Sequence, residues 1–154
     1  MIDAPQITQS AAQRIAFIHL KVPRNQMQVV MGPGIQELFA TVAEQGLTPT
    51  GPWFTHHHRM EPATFDFDIC VPVSAPVQAK GRVQAGELRA AKVARTTYTG
   101  GYEGLDSAWR EFMGWIEREQ LKPAEDLWEC YAAGPETGSD SAQYRTILNR
   151  PLLA

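Results

Sequence analysis

From Phe65 to Val73 the chain alternates: Phe65, Phe67, Ile69, Val71 and Val73 against Asp66, Asp68 and Cys70. A period of two puts one set on a core and the other toward water or a cleft, as in a strand of an antiparallel sheet. The runs "RIAFIHLKV" (14–22), "WFTHHHR" (53–59), "LRAAKVARTTY" (88–98), "LWECYAA" (127–133) and "YRTILNRPL" (144–152) also read as strands. Two segments change to a helical period. Ile35, Leu38, Phe39 and Val42 form one stripe, with Gly46 where a C-terminal cap belongs. Leu105, Ala108, Trp109, Phe112 and Ile116 form the other, widened by Trp115, and core packing is the default reading of that face. Turn-forming residues in "MEPAT" (60–64) and "GPETGSDSA" (134–142) separate the paired strands.

The order of these elements repeats. A constant shift of 74 carries Leu47 to Leu121, Pro49 to Pro123 and Phe54 to Trp128, and Leu38, Phe39 and Val42 to Phe112, Met113 and Ile116. The expected fold is therefore α+β: a β-α-β-β unit made twice with pseudo-twofold symmetry, antiparallel sheets and two main helices. Repeat one covers about 12–73, a connector 74–87 and repeat two 88–152 of one domain. A ligand cleft at the junction of the halves is the default expectation.

Composition narrows the function. The 154 residues are 44% hydrophobic and 20% charged, an ordinary globular balance. A net charge of -3 provides no basic footprint for a phosphate backbone. Cys70 and Cys130 lie in apolar strands without a CxxC partner, which predicts buried free thiols in a reducing compartment. No apolar run approaches the roughly 18 residues of a membrane span, and the amino terminus lacks a signal peptide's apolar region. The expectation is a cytoplasmic protein with no membrane association.

Candidate chemistry is sparse. In "HHH" (56–58) only His56 and His58 share a strand face, and zinc wants at least three protein ligands. Asp66 or Asp68 across the hairpin can complete a set, but no dedicated ligand spacing is present, so no metal is assigned. No GxSxG, Walker A or dinucleotide fingerprint occurs, and no cofactor is expected. "TGGYEG" (99–104) reads as the turn into the second helix, and a Cys130–His56 nucleophile pair is a weak candidate. Glu129 stands out. It shares a strand face with Tyr131, and Trp128 and Cys130 share the other. If the Trp128 face packs under the helices, the Glu129 face opens away from them. Thr55 and His57 are the counterparts of Glu129 and Tyr131 in the first half. Two readings stand: an acid in water, or a carboxylate kept inside an aromatic wall.

"YTGGYEGLDSAWREFMGWI", "LKPAEDLWECYAAGPE" and "YRTILNRPL", in that order, resemble the second half of the GyrI-like small-molecule-binding family. "MGPGIQELFATVAEQGLTPTGPWFTHH" through "FDFDICVPV" resembles the other repeat, so the likeness covers about residues 12–152. Gly101 stands where the family commonly has proline, and "VPRNQM" replaces the first repeat's glycine-proline-tyrosine turn. The resemblance implies the effector-sensing fold of multidrug-responsive transcription activators, also found free-standing, in which a strand glutamate among aromatic residues meets lipophilic cations. Glu129 is the matching position. Cation-π attraction and a compensating carboxylate make physical sense of that pairing.

The expectation is thus a stand-alone binding or sensing protein for amphipathic aromatic or cationic small molecules. Tyr98, Tyr102, Trp109 and Tyr131 wall the site, Glu129 lies at its base, and Thr55 and His57 complete it. The chain before Arg14 leaves no room for a helix-turn-helix, so direct nucleic-acid binding is not expected, and a regulatory protein partner is a possibility. The alternative is a hydrolase that detoxifies reactive molecules, with Glu129 as acid/base and Tyr131 assisting. Inhibition of a gyrase-like enzyme by nucleic-acid mimicry is disfavoured by the small net charge.

Overall fold

Each predicted strand and both helices are present, with shifted starts for the first helix and for the strand predicted from Leu88, and two short strands join them. The computed structural model describes residues 2–60, 63–134 and 140–153, apart from the side chains of Gln28 and Met60. Parts of both predicted turns, at 61–62 and 135–139, lie outside the described residues. The elements are β1 (Gln6–Ser10), β2 (Gln13–Pro23), α1 (Met27–Glu44), β3 (Phe54–Met60), β4 (Thr64–Pro72), β5 (Gln84–Leu88), β6 (Ala91–Thr99), α2 (Leu105–Arg118), β7 (Leu127–Ala133) and β8 (Arg145–Pro151). Among the described residues no helix is long and apolar enough to cross a membrane.

The chain divides into two compact units, residues 11–90 and residues 1–10 with 91–154. The first has antiparallel strands in the order β3-β4-β2-β5, the second in the order β7-β8-β6-β1. Their registers match. Thr55 faces Ile69 as Glu129 faces Leu148, and the bulge between His57 and Arg59 recurs between Tyr131 and Ala133. Even the bridges that follow the helices, Pro49–Val73 and Pro123–Leu152, are counterparts.

The connector differs from its expected form. Its Val77 and Val83 are buried in the core of the first unit, and it ends in β5, which pairs with β2. Arg82 forks onto Glu37 of α1 at 2.7 and 2.9 Å, and Lys80 reaches Glu44 at 2.6 Å. Leu88 consequently belongs to β5, and the following strand begins at Ala91. β1 is likewise a strand, paired with β6. "QITQS" and "QAGEL" escape a pattern search because an edge strand is held by its backbone on one side and needs no apolar alternation.

α1 starts at Met27, well before its predicted stripe, and carries Pro33 inside it. Gly32, Pro33 and Gly34 disfavour a helix, yet packing of Met27, Val30, Met31 and Ile35 against the core outweighs the lost backbone bond. Leu38 and Val42 sit on Ile18, Leu20 and Ile69 in one core; Ala108, Phe112 and Ile116 sit on Ala94, Tyr98 and Leu148 in the other. Both helices end in the same 6→1, 5→2 closure: Leu47 N–H to Val42 O with Gly46 N–H to Ala43 O, and Leu121 N–H to Ile116 O with Gln120 N–H to Glu117 O. Gly46 has φ +69°, and Gln120 adopts φ +58° despite its side chain.

Candidate functional site

Glu129 lies on the face of β7 that α2 covers, because the indole of Trp109 reaches it. The conditional expectation is therefore reversed: the acid lies under the helix, and Trp128 on the opposite face is buried too. Glu129 is 9% exposed. Trp109 Nε1–H donates to its Oε2 at 2.5 Å, and the Tyr131 hydroxyl donates to its Oε1 at 2.8 Å. Burial pushes the Glu129 carboxyl above the ordinary glutamate value; the Trp109 and Tyr131 bonds oppose that, and Asp106 adds to it. An indole N–H can only donate, so the site is built for the charged form while its dryness resists it.

Aromatic rings extend from this acid. Tyr102, 37% exposed on the turn before α2, meets Tyr131 edge-on at 5.9 Å and Tyr144 at 5.2 Å. Tyr144 reads in the sequence as the first residue of a strand and not as a wall of the site; it immediately precedes β8. Trp109 also packs on Phe112 at 5.6 Å. Tyr98 is placed differently from the other walls. It is buried, and its hydroxyl donates to Gly101 O at 2.8 Å, closing its own strand-to-helix turn. A Cβ at Gly104 or Gly100 would collide with that phenol oxygen, which accounts for two of the three glycines of "TGGYEG".

Thr55 and His57 occupy the corresponding face of the first unit, both buried. The ring nitrogen His57 Nε2 lies 3.2 Å from Thr55 Oγ1, and the imidazole stacks on Phe67 at 5.3 Å. Burial, then the neighbouring His56, His58 and Arg24, pushes His57 down to about 4, so it is neutral near pH 7. A hydroxyl and a neutral imidazole thus stand where the second unit has Glu129 and Tyr131. Cys70 and Cys130 are free thiols, and burial raises Cys130 to about 11, the opposite of an activated nucleophile. On the other face of the first unit's sheet, Asp68 receives His19 Nδ1 at 2.8 Å and His58 Nε2 at 3.0 Å. His19 is the member that the sequence reading missed, since it lies in a strand distant from "HHH".

Residues 3–149 match the family model described as the GyrI-like small molecule binding domain. No curated protein sequence matches the chain significantly. Among solved structures, the EcmrR C-terminal domain superposes with TM-score 0.86 at 21% identity, covering 97% of each chain. EcmrR in its DNA complex gives 0.85 at 21% identity over 97% of this chain, which spans 57% of the EcmrR chain. SAV2435 bound to tetraphenylphosphonium gives 0.67 at 13% identity, covering 99% of this chain and 95% of that one. A hydrolase from Listeria innocua gives 0.68 at 12% identity, covering 97% and 91%. At such identities the likeness is one of fold.

Proposed function

The chain belongs to the GyrI-like small molecule binding family, and from that premise we propose that it binds lipophilic, cationic aromatic molecules beside Glu129. The observation that carries the reading is a buried carboxylate whose two oxygens accept from Trp109 and Tyr131, next to a cluster of tyrosines. Aromatic faces hold a flat cation by stacking and cation-π attraction, and the acid supplies the counter-charge in a dry setting. The binding of tetraphenylphosphonium by a protein of the same fold supports that ligand class. Titration with tetraphenylphosphonium, followed by tryptophan fluorescence, is the test. Saturable quenching is expected, with affinity falling about tenfold or more in Glu129→Gln. Equal affinity in the two proteins would remove Glu129 from the site.

A hydrolytic reading is favoured by one observation: burial keeps a proton on Glu129 to higher pH than usual, with the Tyr131 hydroxyl on the same carboxyl. Such an acid can protonate a strained ring as water attacks it. Turnover of a strained-ring electrophile by the wild type and not by Glu129→Gln would establish catalysis. Equal rates in the two would leave binding as the function.

A further inference from the structure

The geometry points to a second site, unrelated to Glu129: His19, His58 and Asp68 form a binding site for a first-row divalent transition ion of the zinc class. Their ligand atoms all lie within 4.8 Å of one another. Asp68 stands on the middle strand β4, paired across to His19 on β2 and to His56 on β3. The bulge between His57 and Arg59 makes His58 an extra residue, and its Nε2 lies 3.0 Å from Asp68 Oδ2. Bonds of about 2.0–2.1 Å in a tetrahedral zinc site separate donors by roughly 3.3 Å. The three groups therefore need only small side-chain shifts to close on an ion.

The protonation chemistry fits as well. In the ion-free protein His19 Nδ1 and Asp68 Oδ1 lie 2.8 Å apart. An ion takes the lone pair of that nitrogen, which leaves the ring proton on Nε2. There, Asp66 Oδ1 lies 3.3 Å away and can accept it, the carboxylate–histidine–metal relay that orients a ligating ring. Asp66 itself lies across from Lys21 and Arg59, which suits it to an outer position. The His56 ring packs against that of His58 at 4.6 Å and stands outside the set of three, so water completes the coordination of an ion there. His19 and His58 are 48% and 38% exposed at their side chains, which gives an ion access, whereas Asp68 is 10% exposed. Two imidazoles with one carboxylate suit zinc, nickel, copper or iron and not magnesium or calcium.

The duplication provides an internal comparison. In the second unit the register puts Thr97, Ile147 and Cys130 at the positions of His19, Asp68 and His56, and Ala132 at the bulge. The same strands thus form without any of these donors. The fold does not require the histidine–aspartate set.

The test is calorimetric titration of the tag-free, metal-stripped protein with zinc chloride alone, in millimolar magnesium. One ion per chain, saturating at micromolar concentration, is expected. His19→Thr, His58→Ala and Asp68→Asn should each weaken binding at least tenfold. The two histidine variants should leave the metal-free melting temperature and circular dichroism near wild type, since the sister unit tolerates Thr and Ala at their positions. As a second readout, zinc should raise the melting temperature of the wild type and not of the variants. Absence of saturable 1:1 binding at 100 µM zinc would overturn the site. So would stoichiometry and affinity unchanged in a folded His19→Thr/His58→Ala protein.

Discussion

At the residue scale, Glu129 sets function against stability. Burial raises its pKa, so the ligand-free fold favours the neutral carboxyl more than the unfolded chain does. The stabilisation linked to that preference is fully present below the ordinary glutamate value and is lost as pH rises through the raised folded value. Glu129→Gln, which keeps the shape and has no charge to bury, is therefore expected to melt higher than wild type at pH 8. The gap should shrink as pH is lowered, while cation binding is lost. Wild-type affinity for tetraphenylphosphonium should fall as pH drops through the raised value, with protons released on binding; calorimetry in two buffers of different ionisation enthalpy measures that release. Trp109→Phe removes a bond that favours the charged form, so it should move the affinity profile to still higher pH. Affinity flat from pH 5 to 8 in both proteins would mean that the acid is ionised throughout and takes no part in the coupling.

At the element scale, the two helix ends test how one backbone closure tolerates different residues. Gly46 at φ +69° has open space around a would-be Cβ, so Gly46→Ala carries only the backbone cost of the left-handed conformation, about 1 kcal/mol. Gln120 at φ +58° already bears that cost, and Gln120→Gly should stabilise by roughly 0.5–1 kcal/mol. Denaturant midpoints should move in opposite directions at constant slope; a destabilised Gln120→Gly would show that the side chain repays its strain. Gly46 was legible as a cap because glycine signals one, whereas nothing in "REQL" signals a left-handed residue. The alternation in β4 and the stripe in α2 were legible for a related reason: burial on one face imposes a period. α1's first turns were not, because Gly32, Pro33 and Gly34 oppose a helix that tertiary packing then enforces. Within the candidate site, the pairing of Glu129 with Tyr131 follows from strand period alone. Trp109's approach to Glu129 does not, because it depends on which face of β7 the helix covers, and each face carries an aromatic residue, Tyr131 or Trp128.

At the scale of the whole molecule, the repeat is legible in the residues but its outer strands are not. The unit written twice in the chain is longer by one strand than the pattern suggests: β1 precedes β2 yet pairs with β6, and β5 precedes β6 yet pairs with β2. Both edge strands show the same exposure, outer residues wet and the last residue, Ser10 or Leu88, buried. The leading segment is also tied down before β1 begins, by Asp3 N–H to Thr97 O at 3.0 Å and the Thr96 hydroxyl to Asp3 O at 2.7 Å. Deleting residues 1–10 should therefore uncover the outer edge of β6, a strand far away in sequence, and leave β2, its immediate successor, fully paired. The expected loss is at least about 2 kcal/mol, because several backbone bonds go unmatched at once. Amide hydrogen exchange locates the damage: protection should fall in β6 and spread to β8 and α2, while β2, β4 and α1 exchange as in the intact chain. A fall in protection confined to β2 would contradict the strand pairing. An equal fall everywhere would mean that the two units unfold as one cooperative body.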